Sequence, residues 1–79
     1  MKISKWIAER IASLCAEREI SINQLAMDSG LTQSTLNSIM HSESKNPTII
    51  TIFRLCRGLN ITVSEFFKNI EYGDFEELN

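Results

Sequence analysis

The sequence predicts an all-α protein, a compact five-helix bundle, and three features of its 79 residues carry that prediction. Apolar side chains recur at intervals of three and four along most of the chain, the spacing of helices with one buried face. Ser, Thr, Gly and Asn stand between these stretches, where helices start and stop. No stretch alternates apolar and polar residues with period two over a useful length, so no sheet is expected.

Each element follows in order. Residues 4–18 (SKWIAERIASLCAER) place Ile7, Ile11 and Leu14 on one face, with Ser4 as the expected N-cap. A second helix opens at Ser21, where Gln24 three residues on completes the S-x-x-Q form of a capping box. It turns Leu25 and Ala26 inward and stops near Ser29 and Gly30, glycine supplying the left-handed turn. The third helix begins at Thr32 and runs to Met40, with Leu36 and Ile39 on its buried face. A polar loop, residues 41–46, is closed by Pro47. Thr48 then caps a fourth helix, whose expected inner face is Ile49, Ile52, Phe53, Cys56 and Leu59, and Asn60 ends it. Thr62 and Glu65 form a second capping box over a short helix that ends in Phe66 and Phe67.

Composition narrows the function classes. A chain of this length buries only about 60–65% of its unfolded surface, leaving little apolar material to wall a deep catalytic cleft. The 43% hydrophobic and 23% charged fractions are those of a globular domain. No apolar run approaches the roughly 18 residues of a membrane span. Residues 1–11 alternate apolar with charged side chains and show no cleavage-site pattern, so a cytoplasmic location is expected. Cys15 and Cys56 sit among apolar residues of helical stretches and read as small buried hydrophobes. His41 is the single histidine and no Cys-x-x-Cys pair exists, so neither metal nor cofactor is expected, nor any small-molecule ligand. Ser38 and His41 lie within one helical turn but have no orienting carboxylate, which is no basis for an enzyme.

Charge is unevenly placed. The chain carries −2 overall, yet residues 71–79 (EYGDFEELN) contain Glu71, Asp74, Glu76 and Glu77. Without them eight basic and six acidic residues remain, a net of +2. The sequence therefore divides into a mildly basic domain, residues 1–70, and an acidic C-terminal tail, residues 71–79.

One ordered set of residues goes beyond generic helix patterning. Leu25 and Ala26, then Gly30, Leu31 and Thr32, Ser34, Thr35 and Leu36, Ile39, Asn46, Pro47 and Thr48, and finally Leu59, Asn60, Ile61 and Thr62 follow one another with short gaps. Together they resemble the Cro/phage-repressor (XRE-like) helix-turn-helix family, over about residues 7–67. The physics suits that motif: two short helices meet at a steep angle across a turn containing glycine. Leu25 and Ala26 supply a bulky plug and a small contact, Leu36 and Ile39 meet them, and Leu31 is held under the turn.

The resemblance implies a transcription regulator, a repressor that reads a double-stranded DNA operator. It makes residues 33–40 the recognition helix, entering the major groove by its N-terminal end. Gln33, Ser34, Asn37 and Ser38 would then read bases, an amide bonding both N6 and N7 of adenine and a serine giving or taking one bond. Ser21 and Asn23, Thr32, and His41, Ser44, Lys45 and Asn46 would hold phosphates on either side of the groove. Two positions depart from the family pattern. Ile22 stands where a phosphate-binding glutamine is frequent, and Ser42 where a glycine is frequent, so one anchor is missing or moved and the turn of the loop is altered. With few cations at the site, salt dependence should be visible but shallow.

Two further readings stay open. Trp6, Ile3, Ile50, Tyr72, Phe75 and Leu78 lie outside the family's usual core positions. They pack on the end of the bundle or form the seam of a homodimer, the symmetry that symmetric operators select. The acidic tail and the net charge also admit another class: a protein-interaction module, such as the antitoxin or partner-binding component of a regulatory pair.

Overall fold

The structure is a computed structural model that describes residues 1–41 and 46–78. Five helices follow in chain order: α1 Ile3–Arg18, α2 Ile22–Ser29, α3 Gln33–Met40, α4 Ile49–Leu59 and α5 Val63–Phe66. Two short 3₁₀ turns, Tyr72–Asp74 and Glu76–Leu78, complete the described chain. The fold class is the expected one, and no strand occurs among the described residues.

A single seven-residue phrase ends three of the helices. In Cys15 to Ser21, Ala26 to Thr32 and Cys56 to Thr62, a small buried residue opens the phrase and its carbonyl accepts from the amide five residues on. These bonds are Ile20 N to Cys15 O at 3.1 Å, Leu31 N to Ala26 O at 2.9 Å and Ile61 N to Cys56 O at 3.0 Å. A left-handed residue makes each reversal: Glu19 at φ 54°, Gly30 at 69° and Asn60 at 57°. Ile20, Leu31 and Ile61 then tuck against the core, as the hydrophobic contact of a Schellman ending requires. The next hydroxyl starts a new helix at once: Ser21, Thr32 and Thr62 each accept an amide hydrogen bond at 3.0 Å, from Gln24, Thr35 and Glu65. Chain reversal and helix start are thus packed into adjacent residues, which is how so short a chain fits five helices.

Three local expectations change: in the second capping box only the hydroxyl half forms, Thr62 Oγ1 accepting from Glu65 N. Ser4 lies inside α1, whose N-cap is Lys2 and has no side-chain cap bond. Gln24 turns its amide forward to Asp28 Oδ1 at 2.9 Å, so only the Ser21 half of the capping box forms.

The core comprises Ile7, Ile11, Leu14 and Cys15 of α1, Leu25 and Ala26 of α2, Leu36 and Ile39 of α3, Ile52, Leu55, Cys56 and Leu59 of α4, and Phe66 of α5. The inner face of α4 is therefore Ile52, Leu55, Cys56 and Leu59, not the expected stripe. Ile49 and Phe53 point outward, 65% and 57% exposed, beside Ile50 at 63%. Both cysteines are free, buried thiols. Desolvation pushes both above the usual thiol range, and Arg18 partly opposes this at Cys15.

α2 and α4 pack closely because Gly58 has no side chain. A Cβ there would stand 2.3 Å from Ser29 Oγ and 3.1 Å from the Ser29 backbone. Ser29 is fully buried and its hydroxyl has no hydrogen-bond partner among the described residues. An unsatisfied buried hydroxyl costs about 1–3 kcal/mol, and alanine is the better helix former. Ser29→Ala is accordingly expected to stabilise the fold by about 1 kcal/mol and raise Tm by roughly 4–8 °C. A melting curve at or below that of the parent contradicts this.

Candidate nucleic-acid interface

α2 and α3 are joined across Gly30, Leu31 and Thr32, the geometry that the turn glycine predicts. Gly30 N donates to Met27 O at 3.2 Å, alongside the bond from Leu31 N to Ala26 O. Leu36 is fully buried and Ile39 nearly so, which fixes the opposite face of α3 outward. Along that face Gln33, Ser34, Asn37 and Ser38 are all exposed. None of their side-chain polar atoms has a hydrogen bond within the described residues. Arg57 brings its Nη2 to the turn, 3.8 Å from where a Cβ on Gly30 would lie; its sequence position inside α4 gives no hint of this.

Residues expected at phosphates divide into engaged and free groups. Ser21 Oγ accepts from Gln24 N, which leaves its own proton to donate. The Thr32 hydroxyl accepts from Thr35 N and donates to Thr35 Oγ1 at 2.8 Å, so its donor is taken. Thr35, exposed and passed over by sequence reasoning, holds the hydroxyl proton that remains. Only its bond to a capping residue three positions back could have pointed to it.

His41 is the C-cap of α3, and its Nδ1 lies 2.7 Å from the Asn37 carbonyl. With Nδ1–H donated there, a neutral ring presents only an acceptor at Nε2, and only the imidazolium can both cap the helix and donate to an anion. Asn23 and Asn46 are exposed. Ser44 and Lys45, like Ser42, lie outside the described residues.

Helix ends add backbone donors. Thr32 and Thr48 each satisfy one orphan amide of the helix they cap, and the remaining first-turn N–H groups of α3 and α4 stay available to an anion. Among the described residues no group of three or more His, Cys, Asp or Glu side chains converges as metal ligands do, and no helix is long and apolar enough to cross a membrane.

Residues 10–71 match the family model described as the Cro/C1-type HTH DNA-binding domain. The chain belongs to that family. The HTH-type transcriptional regulator SutR of Escherichia coli (strain K12) is 28% identical over 64 residues, 81% of this chain and 35% of the regulator. The chain thus spans about a third of that relative's length. Among solved structures, prophage Lp1 protein 11 is 38% identical with a TM-score of 0.79, over 86% of this chain and 91% of that one. An HTH_3 family transcriptional regulator from Vibrio cholerae is 32% identical with a TM-score of 0.75, over 84% of this chain and 36% of that one. The α2–turn–α3 unit is the helix-turn-helix of this DNA-binding regulator family, and α3 is its second helix.

Proposed function

We propose that the protein is a sequence-specific transcription regulator that reads double-stranded DNA with α3 and represses by occupying its operator. One observation carries this reading. Four exposed hydrogen-bonding side chains on α3, Gln33, Ser34, Asn37 and Ser38, have no partner within the described residues, in a family defined by DNA binding. Amides and hydroxyls on the outward face of such a helix suit base edges, an amide bonding both N6 and N7 of adenine. Ser21, Asn23, His41, Asn46, Ser44, Lys45 and the amides of the helix starts hold the backbone. Thr32 contributes through its cap, which fixes the start of α3, and Thr35 offers the free hydroxyl. Titration of duplexes selected from a random library tests the reading: tight binding to one motif supports it, and equal binding to every duplex refutes it.

The operator is bound by a homodimer. Trp6 is already occupied in its own chain: it stacks on Phe67 at 5.9 Å and meets Phe66 edge-on at 6.3 Å. Phe75 is buried too. Of the residues weighed for a seam, Ile50, Tyr72 and Leu78 stay exposed; Ile50 lies with the exposed Ile49 and Phe53 on the outward face of α4, the helix that follows α3 in the chain, and this stripe is the seam. Phe53→Asp is expected to give a monomer at micromolar concentration, where the parent sediments as a dimer. An identical sedimentation coefficient for the two proteins counts against this seam.

A second reading uses the same face. α4 carries Arg54 and Arg57 beside the apolar stripe and no carboxylate, which suits an acidic partner protein of a regulatory pair. A parent that stays monomeric with and without operator DNA favours that partner.

A further inference from the structure

α1 begins without the means to cap itself. Lys2 occupies its N-cap position, its own side chain makes no cap bond, and the first turn contains no acidic residue. Lys5 places a second positive charge there. The open amides of a helix start already carry partial positive charge, so both lysines have the wrong sign for the place.

The missing groups come from the far end of the chain. Glu77 Oε1 accepts from Ile3 N at 2.6 Å. The Met1 ammonium donates to the Asp74 carbonyl at 3.0 Å and stands 3.8 Å from Glu76. Glu76 N donates to the Met1 carbonyl at 3.4 Å. Between these contacts Phe75 is only 2% exposed. The family match runs from residue 10 to residue 71, so both partners of this contact lie outside it.

We propose that residues 74–77 form a clasp that closes the start of α1, with Glu77 as the capping acceptor and Phe75 as the anchor. Carboxylates of the acidic segment then complete the fold by lying against the basic, open end of a helix. The clasp is a conformational device: docked, it protects the first turn of α1; released, it leaves that turn uncapped. Since the contacts of Glu77 and Glu76 are exposed, salt weakens their charge component. The clasp is independent of whether α3 reads DNA.

Amide hydrogen exchange in the full chain tests it, because Glu77 is the acceptor for the Ile3 amide. Glu77→Ala is expected to speed exchange at Ile3 about 2- to 30-fold, the range that follows from losing a helix cap, while buried amides of α2 and α4 keep their rates. Glu77→Gln, which keeps an acceptor oxygen without the charge, is expected to fall between parent and alanine. Phe75→Ala should open the same amide from the anchor side. Unchanged Ile3 exchange in Glu77→Ala overturns the proposal. So does an equal acceleration through all the helices, which marks general destabilisation and not the release of a clasp.

Discussion

Phe66→Ala is expected to cost about 3–5 kcal/mol, the range for emptying a fully buried aromatic site. A domain of this size is stable by only about 4–12 kcal/mol, so much of the fold's margin goes with one ring. The reason lies in how α5 is held. Four residues are too few to form a helix alone, and Val63–Phe66 depends on what packs around it. Phe66 is fully buried, with Phe67 edge-on at 4.9 Å. Arg10 fastens the end of α5 by donating from Nε to Phe66 O and from Nη2 to Glu65 O, both at 2.9 Å. Phe53, 57% exposed, provides the contrast in one chain: Phe53→Ala should change monomer stability by less than about 0.5 kcal/mol. Urea unfolding followed by circular dichroism, at a protein concentration where the parent is monomeric, measures both. Similar midpoints for the two variants contradict the assignment of Phe66 to the core.

The second large effect is on recognition. Gln33→Ala or Asn37→Ala is expected to remove about 1–3 kcal/mol of discrimination per amide contact, a loss of roughly 5- to 150-fold in preference for the selected duplex over a scrambled one. Binding to the scrambled duplex should hardly change, since neither variant removes a charge. Lys45→Ala should behave in the opposite way, weakening all duplexes alike and reducing the salt slope by about one. Both amide side chains are exposed, so the variants are expected to melt like the parent, and any lost preference belongs to contact with DNA. Variants that retain the parent's preference place the reading surface elsewhere.

Much of this architecture is legible in the chain because the helix ends are written in local chemistry. Ser21, Thr32, Thr48 and Thr62 announce themselves as caps by residue type, and Gly30 and Asn60 as left-handed stops. Glu19 does the same work as Gly30 at φ 54°, yet a glutamate is no stop signal by itself. The recurring phrase around it, a small residue, then a reversal, a hydrophobe and a hydroxyl, is the better marker. α4 was harder for a different reason. It has seven apolar residues in eleven positions, more than a helix packed on one side can bury. Two stripes satisfy the same three-and-four spacing, and only the three-dimensional partners select Leu55 over Ile49 and Phe53. The clasp was out of reach of local rules, because Glu77 and Ile3 are 74 residues apart. Of the candidate interface, α3 and its outward side chains follow from the spacing of Leu36 and Ile39. The engagement of Thr32 with Thr35, and the approach of Arg57 to the turn, depend on side-chain positions that spacing does not fix.

The most direct measurement is selection from a random duplex library, run in parallel with the parent and with a Gln33→Ala/Asn37→Ala double variant that melts normally. If the outward side chains of α3 meet base pairs, the parent enriches one motif, with two half-sites about one helical turn apart for a dimer, and the double variant loses it. Failure of the parent to enrich any sequence, or recovery of the same motif by both proteins, contradicts the account.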